Sequence, residues 1–186
     1  DRYFFLKNDG LQNQSVAYVL ETLNGTARAL IDPNALSPDG TTALTALEAS
    51  PDGRLLAYSL AKAGSDWQEW RILDVDTGRD LPDVLKWIKF SGVSWTSDGQ
   101  GFFYARYDEP KDDLYQAQHY YQKVYFHKAG TTQSDDPLIY ERADEKEWNF
   151  DVRVSEEGSF LGINVWTGFT QNNLLFFQKL GAPGTF

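Results

Sequence analysis

Cysteine and methionine are both missing from the 186 residues. The first absence excludes disulfides, thiolate zinc sites, iron–sulfur clusters and cysteine nucleophiles. It leaves the compartment open between cytoplasm and periplasm, since a disulfide-free chain is viable in either. The second absence extends to position 1. The chain opens on Asp1-Arg2-Tyr3-Phe4-Phe5, a strand-like run with no signal-peptide pattern before it. On that ground it is expected to be a processed or excised internal piece of a longer protein.

Other shortages narrow the function classes. Lys and Arg number 17 against 27 Asp and Glu, a formal net charge of −10. A phosphate backbone is bound by clustered cations, so nucleic acid is not an expected partner. The acidity reads as a well-solvated surface, with steering of a cationic ligand as the alternative. No apolar run approaches the roughly 18 residues that a membrane helix needs, so no membrane partner is expected either. His119 and His127 are the only histidines. Two unclustered histidines lack the spacing of a zinc site, and neither a metal nor any other cofactor is expected.

A nucleophile is also hard to find. A nucleophile elbow needs Gly-x-Ser-x-Gly at a strand-to-helix turn, which exposes the serine and builds the oxyanion hole. The nearest stretch, Gly92-Val93-Ser94-Trp95-Thr96, lacks the second glycine and lies in a strand pattern. His127 follows Tyr125-Phe126 in another strand and reads as a blade-edge residue, with no oriented carboxylate legible nearby. Asp144-Glu145 and Glu156-Glu157 read as solvated loop and turn residues rather than a glycosidase pair. Asn13-Gln14-Ser15 and Asn24-Gly25-Thr26 fit the glycosylation pattern, but a turn suffices at Asn24-Gly25.

What the chain does have is aromatic residues: 12 Phe, 10 Tyr and 6 Trp. They favour half-buried pleated surfaces. Apolar runs of strand length alternate with turn clusters. Tyr3–Leu6 leads to Asn8-Asp9-Gly10, Val16–Leu20 to Asn24-Gly25, and Ala29–Ile31 to Asp32-Pro33-Asn34 and Pro38-Asp39-Gly40. A longer repeat follows. Ser50-Pro51-Asp52-Gly53, Ser97-Asp98-Gly99 and Ser155-Glu156-Glu157-Gly158 are each a turn leading into an apolar strand. Each turn follows a strand, at Ala43–Ala49, Gly92–Trp95 and Phe150–Val154, and each unit continues into another, at Glu69–Val75, Val124–His127 and Asn173–Gln178. The turn glycines lie 46 and then 59 residues apart, near the length of a four-stranded blade with one longer insertion.

The fold class expected is therefore all-β, a β-propeller fragment of about three four-stranded antiparallel blades. A β-sandwich is the alternative. The phase of the repeat makes Tyr3–Leu6, Val16–Leu20 and Ala29–Ile31 the last three strands of one blade. Residues 1–186 then form a partial propeller with blade breaks near 36–43 and 90–92 and an incomplete final blade.

A family likeness runs through the same residues. Lys7-Asn8-Asp9-Gly10-Leu11-Gln12-Asn13-Gln14-Ser15-Val16 resembles the first blade of prolyl oligopeptidases, as do Asp32-Pro33-Asn34 with Asp39-Gly40-Thr41, and Gly64-Ser65-Asp66-Trp67. The strongest match is Leu85-Lys86-Trp87-Ile88-Lys89-Phe90-Ser91-Gly92-Val93-Ser94-Trp95. It is followed by Gln122-Lys123-Val124-Tyr125-Phe126-His127-Lys128-Ala129-Gly130-Thr131 and Gln133-Ser134. The likeness covers essentially the whole chain, in order and at similar spacing.

The resemblance implies a serine endopeptidase that cleaves short peptides after proline. Its α/β-hydrolase domain carries Ser, Asp and His, and a seven-bladed propeller restricts access to it. This chain resembles the first three blades. It has no counterpart of the catalytic motifs and is expected to be inactive alone. The implied partners are short proline-containing peptides and the α/β-hydrolase domain of the same protein.

The resemblance also matches Phe90 to a phenylalanine lining the pocket for the third residue upstream of the cut. From the residues alone, a packed core aromatic is the competing reading. Trp148-Asn149 aligns with a Trp-Met pair whose methionine lines that pocket, so Asn149 implies a more polar wall. The long insertion between Tyr107 and Tyr121 corresponds to a loop at the hydrolase interface. A gating role is expected there for Tyr107, Asp112, Tyr115, His119 and Tyr121. The alternative function is a non-enzymatic propeller that presents its loops to a protein partner.

Overall fold

A computed structural model describes residues 2–110, 119–168, 172–182 and 186. Four antiparallel meanders follow one another along the chain. The first holds β1 (Tyr3–Lys7), β2 (Val16–Leu20) and β3 (Arg28–Ile31). The second holds β4 (Thr42–Ala49), β5 (Leu55–Lys62), β6 (Gln68–Asp74) and β7 (Arg79–Ile88). The third holds β8 (Val93–Trp95), β9 (Gly101–Arg106), β10 (Lys123–Lys128) and β11 (Leu138–Tyr140). The fourth holds β12 (Trp148–Val154), β13 (Phe160–Thr167) and β14 (Leu174–Lys179).

The repeated turns close by local chemistry. Ser50 Oγ donates to Asp52 Oδ1 at 2.7 Å and accepts the Leu55 amide at 3.0 Å, while Gly53 N reaches the Ser50 carbonyl at 2.8 Å. Gly99 N reaches Thr96 O, so Thr96 rather than Ser97 takes the serine's place, and Gly158 N reaches Ser155 O. The φ of Gly158 is +73°, and a Cβ there would overlap Ser97 in the turn of the preceding sheet. Asp32-Pro33-Asn34, expected as a turn, instead starts the one-turn helix α1 (Pro33–Leu36), with Asp32 accepting the Asn34 amide as its cap.

Alternation along the strands decides how the sheets pack. Leu56, Tyr58 and Leu60 of β5 face Ala17, Val19 and Ile31 of the first sheet. Ala57 of β5, with Trp70 and Ile72 of β6, faces Phe102 and Tyr104 of β9. Phe103 and Ala105 of β9 turn the other way, onto Phe150, Val152 and Ile163 of the fourth sheet. The second and third sheets thus bury both faces, whereas a sandwich sheet buries one. The first strands of successive sheets are also tied: Trp95 Nε1 donates to Glu48 O, and Val154 N to Ser94 Oγ, both at 2.9 Å. This is the stacked-blade arrangement of a propeller.

A buried polar cluster joins the second and third sheets. His127, expected at a blade edge without a carboxylate partner, lies on an interior strand and is fully buried between two. Its Nδ1 is 2.8 Å from Asp136 Oδ1 and its Nε2 is 2.8 Å from Asp83 Oδ1. Asp83 also accepts the Gly130 amide at 2.7 Å, and Tyr104 donates to Asp136 Oδ2 at 2.6 Å. A neutral imidazole donates through one nitrogen, so two facing carboxylates favour the imidazolium. Burial lowers the His127 pKa, but the hydrogen bonds to Asp136 and Asp83 outweigh it and raise the value to about 9.

Candidate functional site

The register of the strands brings several connections to one end of the sheets. Thr42 pairs with Lys62, Gln68 with Ile88, Val93 with Tyr104, and Trp148 with Thr167. The β5–β6, β7–β8 and β9–β10 connections and the start of β12 therefore share one rim. All four non-glycine residues with positive φ among the described residues lie on it: Ala63 at 52°, Trp87 at 62°, Phe90 at 59° and Tyr121 at 59°. Bulky side chains seldom adopt this conformation, and such strain concentrates at functional sites.

Phe90 is the centre of this rim. The residue is 48% exposed, which removes it from the core despite its strand-like sequence context. One side meets Trp166 edge-on at 5.9 Å, and Lys89 Nζ lies 5.0 Å from the ring centroid. Lys89 is itself nearly buried. Its ammonium meets Asp66 at 3.2 Å and His119 Nε2 at 3.0 Å, and it lies 5.6 Å from the Trp67 ring. Trp67 stands edge-on to Trp87, Tyr107 and His119. Burial, then the Lys89 charge, hold the His119 pKa below its ordinary value.

Asn149 reaches the same place from the next sheet, because its cross-strand partner is Trp166. Its Oδ1 accepts the Tyr107 hydroxyl at 2.5 Å and its Nδ2 donates to Glu147 O at 3.2 Å. Tyr107 is buried, which pushes its phenol pKa up. Trp148 faces the opposite side of β12, stacked on Phe176 at 6.1 Å with the Arg142 guanidinium 4.5 Å from its ring. The rim thus brings Phe90, Asn149, Tyr107 and His119 together and turns Trp148 towards the core. Tyr121 is 45% exposed beside a cleft of about 270 Å³ that Asp108, Lys123 and Arg142 also line. Asp112 and Tyr115 lie outside the described residues.

Sequence reasoning missed the roles of Trp166, Lys89 and Gln122. Lys89 and Gln122 lie in family-like stretches but were given no task there, Trp166 lies in none, and each matters through a neighbour from another sheet or connection. Ser94, the nearest approach to an elbow serine, is occupied by the Val154 amide. Among the described residues, no three His, Asp or Glu side chains are grouped to hold a metal.

Stacked three- and four-stranded meanders with a strained aromatic rim define a β-propeller unit that presents one end of its sheets. The family model for the prolyl oligopeptidase N-terminal β-propeller domain matches residues 1–185. The chain belongs to that family. It is 47% identical over 178 residues to a prolyl endopeptidase of Elizabethkingia miricola, covering 95% of this chain and 25% of the relative. It is 33% identical to prolyl oligopeptidase A of Amanita bisporigera, covering 97% and 27%. Among solved structures, prolyl oligopeptidase B from Galerina marginata, bound to a 35mer hydrolysis and macrocyclization substrate, superposes with a TM-score of 0.86. The identity there is 28%, over 99% of this chain and 28% of that one. A structure from a study of two prolyl endopeptidases gives 0.85 at 34% identity, over 96% and 25%. The chain spans about a quarter of the length of the curated relatives it matches.

Proposed function

We propose that this chain is the access-restricting portion of a serine endopeptidase that cleaves short peptides after proline, and that its rim supplies one wall of the substrate pocket. An α/β-hydrolase domain outside these residues supplies Ser, Asp and His. Within the chain, blade breaks fall near 36–43 and 90–92, and the final blade is incomplete. Phe90 presents an apolar face to the peptide side chain three residues upstream of the cut, and Asn149 makes the neighbouring wall polar. Trp148 contributes by anchoring the start of β12. Tyr107, His119 and Tyr121 hold the two ends of a gating segment that includes Asp112 and Tyr115.

The observation that carries this reading is Phe90 itself. A bulky residue is kept at positive φ, half exposed, with its ring supported by Trp166 and Lys89. A ring with no binding task would gain by burial. The matched relatives are prolyl endopeptidases and oligopeptidases, and one solved relative holds a peptide substrate.

The test uses the full-length enzyme and proline peptides that differ only three residues upstream of the cut. Phe90→Ala should lower the preference for a bulky apolar residue over glycine by about tenfold or more in kcat/KM. An unchanged preference would remove Phe90 from the pocket. The chain on its own should not turn over a proline-containing chromogenic peptide; turnover that scales with this chain through repurification would overturn the assignment of catalysis to another domain.

A further inference from the structure

Gln122 ends the connection between β9 and β10 and is 1% exposed. Glutamine is rarely buried whole, because both ends of its amide need partners. Here both are satisfied by backbone. Nε2 donates to the Lys89 carbonyl at 2.9 Å, and Oε1 accepts the Phe150 amide at 2.6 Å. The first partner immediately precedes Phe90. The second immediately follows Asn149. One side chain therefore fixes the peptide on the Phe90 side of the pocket against the peptide on the Asn149 side, across segments 33 and 28 residues away in sequence.

The surroundings hold the amide in place. Tyr121, at positive φ, donates its backbone N–H to Lys146 O at 2.8 Å, which docks the connection on the approach to β12. On the other side, Ser91 Oγ accepts the Ala105 amide at 3.0 Å and pins the chain just after Phe90. Between these points the Lys89 carbonyl bond to Gln122 restrains the peptide that sets the Phe90 backbone. Loss of that bond frees Phe90 to leave the left-handed region, which bulky residues avoid. The ring would then lose its contact with Trp166.

We propose that Gln122 is a positioning residue for substrate selectivity: its buried amide sets the relative placement of Phe90 and Asn149, and so determines which side chain is accepted three residues upstream of the cut. The inference rests on the pocket reading above. It adds a residue that touches no substrate and acts through two backbone groups.

The test again uses the full-length enzyme, with peptide pairs carrying phenylalanine or glycine at that position. Gln122→Met keeps the length and removes both polar ends. It should reduce the preference for phenylalanine by about fivefold, mainly through KM, and leave kcat for the glycine peptide within about twofold. In the Phe90→Ala background the same change should leave the preference unmoved, because the two residues act as a unit. A purely structural glutamine would lower thermal stability and scale both peptides equally, and that result overturns the proposal. If Gln122→Met does not fold, Gln122→Glu keeps the acceptor and removes an amide donor. It should shift the preference in the same direction, and equal scaling of both peptides there is equally fatal. If Phe90→Ala shifts the preference and neither Gln122 variant does, the pocket stands and this inference falls. If Phe90→Ala shifts nothing, both fall.

Discussion

Raising the pH from 6.5 to 9 should weaken the contact between the second and third sheets through one proton. His127 of β10 lies between Asp83 of β7 and Asp136 of the β10–β11 connection, 2.8 Å from each, at the contact between those sheets. Its pKa is raised from 6.5 to about 9 in the fold. A group held more tightly protonated in the folded state stabilises it fully below the unfolded value and loses that contribution as pH climbs through the folded one. The two values correspond to about 3 kcal/mol, lost at up to about 1.4 kcal/mol per pH unit within the window. Few other groups interfere there. No thiol exists to titrate, the His119 pKa is lowered, and burial and hydrogen bonding raise the phenols of Tyr58 and Tyr104. Urea unfolding followed by tryptophan fluorescence, at pH 6.5 and 9, measures the loss in the native protein and in His127→Gln. The variant should be about 3–5 kcal/mol less stable at pH 6.5, since it leaves a buried carboxylate without its cation. Its further loss towards pH 9 should be about 3 kcal/mol smaller than that of the native protein. Parallel pH dependence in the two proteins would refute the imidazolium between the carboxylates.

Further outcomes test the rim and the turns. Asn149→Met should raise the preference for apolar side chains three residues upstream of the cut, and leave the buried Tyr107 hydroxyl without its partner at a cost of about 1–3 kcal/mol. Unchanged selectivity and an unchanged melting temperature would count against both roles. Gly158→Ala meets a left-handed backbone and the Ser97 side chain together, so a destabilisation of about 1–3 kcal/mol is expected; an unshifted melting temperature contradicts it. His119 should titrate below 6.5 by proton NMR, and Lys89→Met should bring it back towards the ordinary value. A His119 that ignores the loss of Lys89 would place the cause in burial alone.

The fold was legible where its cause is local. An acidic residue and Gly at fixed offsets from a serine or threonine mark the repeated turn, and alternation makes the strands, so Ala43–Ala49 and Phe150–Val154 fall within the observed β4 and β12. The outer strands were harder to read. Pro82 and Asp83 break the apolar pattern within β7, where its pairing with β6 shifts register, and β11 has three residues. Asp83 is there for His127, 44 residues further along, and no periodicity links them. At the site, Phe90 and Asn149 were reached through family likeness. Their physical connection was not, because Trp166 and Gln122 join them across sheets. A left-handed phenylalanine leaves no trace in composition, since its conformation is imposed by the backbone's partners.

The six tryptophans divide by height along the sheets. Trp67, Trp87 and Trp166 belong to the rim that carries Phe90, while Trp70 and Trp95 lie in the cluster between the second and third sheets; Trp148 shares the height of the rim but turns towards Phe176 and the core. The molecule therefore carries its own optical label. Occupation of the rim changes the surroundings of the first group and leaves the second in place, whereas separation of the sheets wets Trp70 and Trp95. Emission colour and quenching can thus distinguish a peptide arriving at one end of the sheets from the sheets coming apart, with no dye attached.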